Sequence, residues 1–76
     1  MSAVFVMGRY GADAVRCTRD RHGVFITVNE RRIAKRLDGD WISLDPEWNI
    51  TPKGPAHVEL KWSGGQGVIL PFRSGS

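Results

Sequence analysis

A chain of 76 residues, of which 41% are hydrophobic and 25% charged, has room for one modest core and no second domain. One cysteine excludes an internal disulfide and any multi-cysteine metal site, and no apolar run reaches the length of a membrane-spanning helix. The net charge of +3 is uneven: from Arg9 to Arg36 eight basic residues stand against three acidic ones, a net of +5, whereas from Leu37 onwards three stand against five, a net of −2.

A basic half points to an anionic partner, either an acidic protein surface or nucleic acid. The plainer reading is that the two halves neutralise each other across the folded sheet. The N-terminal MSAVFVMGRY lacks the charged start and the length of a signal peptide. Together with the lone Cys17 this leads to the expectation of a soluble protein of the reducing cytoplasm.

In chain order, Ala3 to Met7 is a continuous apolar run ended by Gly8, the pattern of a strand buried on both faces, able to close a barrel. Gly11-Ala12-Asp13 is a turn. Ala14 to Arg19 alternates, with Val15 and Cys17 on one side and Arg16 and Thr18 on the other. Asp20-Arg21-His22-Gly23 is a second turn, with Gly23 suited to positive φ.

The stretch from Val24 to Leu44 organises the rest. Asp38-Gly39 has the chemistry of a type I′ hairpin loop, and Asn29-Glu30 is a weaker candidate for another, because Glu30 stands where glycine is preferred. Two such loops make a three-stranded meander. They place Val28 opposite Arg31, Ile26 opposite Ile33 and Val24 opposite Lys35, and then Lys35 opposite Ile42 and Ile33 opposite Leu44. Val24, Ile26, Val28, Ile33, Ile42 and Leu44 then share one face, and Phe25, Thr27, Arg32, Ala34, Arg36, Trp41 and Ser43 share the other. A short helix over 29–37 competes, capped by Asn29 and closed by Gly39, but two turns do not stand without tertiary packing.

Asp45 to Pro55 carries three prolines, which rule out a central strand. Trp48 and Ile50 are expected to fold this crossing segment over an open end of the sheet. Ala56 to Trp62 alternates again, Ser63 to Gly67 is a hairpin loop, and Val68 to Phe72 returns as an edge strand, since Pro71 cannot donate a ladder hydrogen bond. The expectation is an all-β fold: a small twisted antiparallel sheet, or a partly closed SH3-like barrel, of about five to six short strands with little or no helix. A single β-rich domain covers residues 1–72, and 73–76 read as a disordered tail.

Catalytic and metal chemistry find no pattern. Cys17, His22, His57 and scattered acids have no ligand spacing and no nucleophile signature, and Gly64, Gly65 and Gly67 lack the helix and Lys-Ser/Thr pair of a phosphate loop. No cofactor, no metal and no enzymatic activity are expected. The most specific constellation is the face on which Arg36 lies opposite Trp41 and Arg32 lies beside Phe25, a cation–aromatic patch of the kind enriched at protein interfaces. It leads to a small interaction module, an adaptor, assembly component or inhibitor, that docks on a partner protein through Phe25, Arg31, Arg32, Lys35, Arg36, Trp41 and Trp48. The alternative is a nucleic-acid-binding module in which Arg16, Arg19 and Arg21 join the basic segment and Tyr10 or Trp41 stacks on bases. No membrane partner is expected. Complementary basic and acidic halves also allow a homodimer.

Overall fold

The computed structural model describes residues 3–72. They form eight strands: β1 (Ala3–Tyr10), β2 (Asp13–Asp20), β3 (Gly23–Val28), β4 (Arg31–Leu37), β5 (Asp40–Ser43), β6 (Trp48–Pro52), β7 (His57–Trp62) and β8 (Val68–Pro71). Every pairing is antiparallel, and no residue among those described is helical. A five-stranded sheet in the order β1-β2-β3-β4-β5 faces a three-stranded sheet in the order β6-β7-β8. Together they enclose one core as a small, partly closed barrel, in which Val15, Ile26, Ile33, Val58 and Leu60 are fully shielded. The expected tail lies outside the described residues. Among the described residues no helix is long and apolar enough to cross a membrane.

The meander forms, and the helix over 29–37 does not. Asn29 and Glu30 have φ of 51° and 65°, and Asp38 and Gly39 have 52° and 85°, so both loops have the two positive φ angles of a type I′ turn. The pairs nearest the loops, Val28 with Arg31 and Leu37 with Asp40, stand as the sequence implies. Further from the first loop the register slips. Thr27 pairs with Arg32, but Ile26 pairs with Ala34, so Ile33 is an extra residue in β4. Val24 therefore faces Arg36 and not Lys35.

That β-bulge rearranges the faces. Ile33 and Ala34 both enter the core, and every residue of β4 and β5 beyond them changes side relative to the unbulged pattern. Arg36, Trp41 and Ser43 now share the inner face with Val24 and Ile26. Ile42 (45% exposed) and Leu44 (48%), which the alternation assigns to the core, are on the outside. A second bulge lies in β1, where Val6 pairs with Arg16 and Gly8 with Val15, which leaves Met7 as the extra residue, also buried. Bulges strengthen twist and bend the strand that carries them. Here they curl the larger sheet around the smaller one.

β1 is an edge strand, contrary to the expectation of two buried faces: Val4 is 57% exposed and Val6 64%. It does meet β8 at one point. A Cβ on Gly8 would lie 2.5 Å from Leu70 Cδ2, so the absence of a side chain lets the two sheets close there. The proline-rich crossing contributes β6, which lies at an edge, as the prolines require, and accounts for part of the surplus over five to six strands. β8, with Pro71, is the other edge of the small sheet.

Candidate functional site: the outer face of the five-stranded sheet

Cross-strand pairing lines up two rows on the outer face. Val4, Thr18, Phe25, Lys35 and Ile42 form one, and Val6, Arg16, Thr27 and Arg32 form the other. No strand or loop among the described residues covers these rows. Phe25 is nonetheless only 4% exposed, because the Arg32 guanidinium lies 4.1 Å from its ring centroid and Lys35 Nζ 5.8 Å away. The sheet puts an aromatic ring on a wet face, and two long side chains lay their methylene stems and charges over it.

Arg32 is held in that pose by Asp20, 3.0 Å away. Asp20 in turn accepts the His22 backbone N–H at 2.7 Å. That bond, helped by the Arg32 charge, holds the Asp20 carboxyl below the usual carboxylate range. Neither ion pair of the described residues involves Arg16 or Lys35. Beside Arg32 opens a cleft of about 310 Å³, walled by Val4, Arg16 and Glu30. Thr18 also lines it and carries a buried hydroxyl oxygen without a hydrogen-bond partner.

The patch suggested by the sequence does not stay together. Arg36 does face Trp41, with its guanidinium carbon 5.7 Å from the indole, but on the inner side, where it also lies 4.7 Å from the Phe72 ring. Trp41 meets Phe72 edge-on at 5.0 Å. Arg31 pairs with Val28 at the other end of the inner face and reaches the buried Asp45 at 3.2 Å. The basic segment thus sends Arg32 and Lys35 outwards, and Arg31 and Arg36 to opposite ends of the barrel. The cause is the bulge at Ile33.

Trp48 belongs to the core and is not a surface contact: it is buried and meets Tyr10 edge-on at 4.9 Å. Tyr10 is a clamp between β1 and the β7–β8 loop. Its hydroxyl accepts the Trp62 backbone N–H at 3.1 Å and donates to the Gln66 carbonyl at 2.7 Å. A Cβ on Gly65 would lie 2.5 Å from that hydroxyl oxygen, so this loop glycine serves packing. Arg16 lies on the outer face, Arg19 pairs with Val24 in the inner row, and Arg21 is exposed in the β2–β3 turn. Comparison with known protein families, curated proteins and solved structures finds no match.

Sequence reasoning passed over Val4, Val6, Thr18 and Ile42 as parts of an exposed face. The signal was present in β1, whose uninterrupted apolar run can mean an exposed apolar strip as well as a buried strand. Cys17 is buried on the inner side, and burial pushes its thiol up to about 11 against the opposing pull of Arg36, which does not suit a nucleophile. Among the described residues no group of three or more His, Cys, Asp or Glu side chains is placed to hold a metal.

Proposed function

We propose that the protein is a non-enzymatic docking module whose outer sheet face seats an acidic, partly apolar surface of another protein. The observation that carries this reading is the outer face of the five-stranded sheet, where the exposed Val4, Val6 and Ile42 flank the cations Arg32 and Lys35 laid over the buried Phe25. Exposed apolar area rimmed by charge is the composition of an interface. Lys35 and Arg16, outside the ion pairs of the described residues, supply positive charge for a partner's carboxylates.

Nucleic acid fits this face less well. Base stacking needs an open ring, and Phe25 is roofed by Arg32 and Lys35, Trp41 is packed on Phe72, and Tyr10 is committed to Trp48. The unpaired Cys17 fits a reducing compartment, and we place the protein in the cytoplasm.

The test uses immobilised wild-type protein beside an Arg32→Glu/Lys35→Glu variant and a Lys61→Glu control on the small sheet. Proteins retained from the native cell are purified, and their binding is measured by calorimetry. The reading expects an acidic partner that binds wild type and control alike and loses at least about tenfold in affinity to the double variant, since a close charge pair across an interface is worth about 1.5 kcal/mol or more. Equal affinity for the double variant overturns it. So does an oligonucleotide, and no protein, bound with steep salt dependence.

A further inference from the structure

Independently of the outer face, we propose that the pocket formed by Arg36, Trp41, His57 and Phe72 at one end of the barrel binds a single carboxylate group. The pocket holds about 150 Å³ and lies between the β4–β5 hairpin and the β6–β7 loop, with Pro52 and Pro55 as apolar wall. Small-molecule pockets usually start at roughly 300 Å³, so this one has room for a functional group and its adjoining carbons.

No acidic side chain lines it, whereas Arg36 and His57 both do. Asp40, next to the lining residue Trp41, pairs with Leu37, and strand alternation turns it to the face away from Trp41. Neither ion pair of the described residues involves Arg36. What holds it is aromatic: Phe72 lies 4.7 Å and Trp41 5.7 Å from its guanidinium carbon.

Rings contact a guanidinium through their π-electrons and leave its N–H edge unspent. The cation is therefore fixed and oriented before any ligand arrives, with its in-plane donors available for the paired oxygens of a carboxylate. A phosphate dianion calls for more than one permanent positive charge, and among the described residues the pocket is lined by one, Arg36. The proline and indole walls suit the carbon that a carboxylate carries and a free phosphate lacks.

The experiment is a titration of the ¹⁵N-labelled full chain, followed at the three tryptophan indole signals. The probes are sodium acetate, the capped peptide N-acetyl-Ala-Glu-Ala-amide and sodium phosphate, each against sodium chloride at matched ionic strength. Acetate should move the Trp41 indole signal saturably, with Kd on the order of 1–10 mM for so few contacts, and leave Trp48 and Trp62 in place. Peptide binding tighter than acetate assigns the carboxylate to a polypeptide. Acetate binding without the peptide assigns it to a free small acid.

Arg36→Gln should weaken binding at least about tenfold, and Arg36→Lys, which keeps the charge and loses the fork, by several-fold. Lys61→Gln, on the small sheet and outside the pocket lining, should bind within about twofold of wild type. The proposal is overturned if the shift never saturates, if phosphate binds and both carboxylates do not, or if folded Arg36→Lys binds like wild type. Should Arg36→Gln fail to fold, Arg36→Lys and the probe comparison decide alone.

Discussion

Gly8 shows how much one hydrogen atom settles in a domain this small. Its neighbour across the barrel, Leu70, is buried and has little room to retreat from an added methyl group. Gly8→Ala should therefore cost about 1–3 kcal/mol, the usual penalty for overpacking a core. Urea denaturation of the single variant measures that loss. The double variant Gly8→Ala/Leu70→Ala should lose less than the sum of the two single changes, because each relieves the other. Additive losses would mean that the two side chains do not meet.

Cys17 gives a residue-level prediction in pH. Its thiol is raised from an ordinary value of 9.0 to about 11 in the fold, so between those pH values the native state keeps a proton that the unfolded chain has released. Native protein then binds more protons than unfolded protein, and the stability that this contributes is whole below pH 9 and declines as pH rises towards 11. Cys17→Ala should remove that part of the alkaline decline, as read from chemical denaturation at pH 8, 9.5 and 10.5. The native thiol should also stay unreactive to a disulfide reagent at pH 8 and react on unfolding.

At the scale of elements, much of the fold was legible in the chain. Asp38-Gly39 announced its hairpin because glycine at positive φ is a local requirement visible in two residues. Asn29-Glu30 forms the same turn with a less suitable residue. Glu30 has φ of 65°, and a left-handed conformation costs a side chain roughly 1–2 kcal/mol over glycine. Glu30→Gly should accordingly raise the unfolding free energy by about 1 kcal/mol, with thermal and urea unfolding as the checks. No change would mean that the turn does not hold that residue at positive φ.

The bulges were not legible. Nothing about Ile33 or Met7 as residue types marks an extra position, since both suit an ordinary strand. The decision is made by the curvature needed to bring β1 to β8 and β5 to β6, which is a property of the closed barrel. The pattern of β5 even misled: Ile42 and Leu44 alternate as core residues do, yet the bulge turns them outwards. Trp48 went astray for a related reason, because proline spacing identifies an edge segment without saying whether its tryptophan faces in or out.

At the scale of the whole molecule, one slipped residue divides a single cation–aromatic patch into two sites on opposite sides of a sheet. Outside, Arg32 and Lys35 cover Phe25 on a broad mixed face, the proposed seat of a partner protein. Inside, at the barrel's end, Arg36 is braced by Trp41 and Phe72 around a pocket the size of one functional group. Both proposals, and the variants chosen to separate them, depend on Trp41 being on the inner side.

The most direct measurement is therefore the set of nuclear Overhauser contacts made by the Trp41 ring in the protein in solution. The account predicts contacts to the Phe72 ring, whose centroid lies 5.0 Å away, and none to Phe25, which is on the opposite face of the sheet. Contacts between Trp41 and Phe25, with Phe72 distant, would mean that β4 runs without its bulge, and both sites would have to be redrawn.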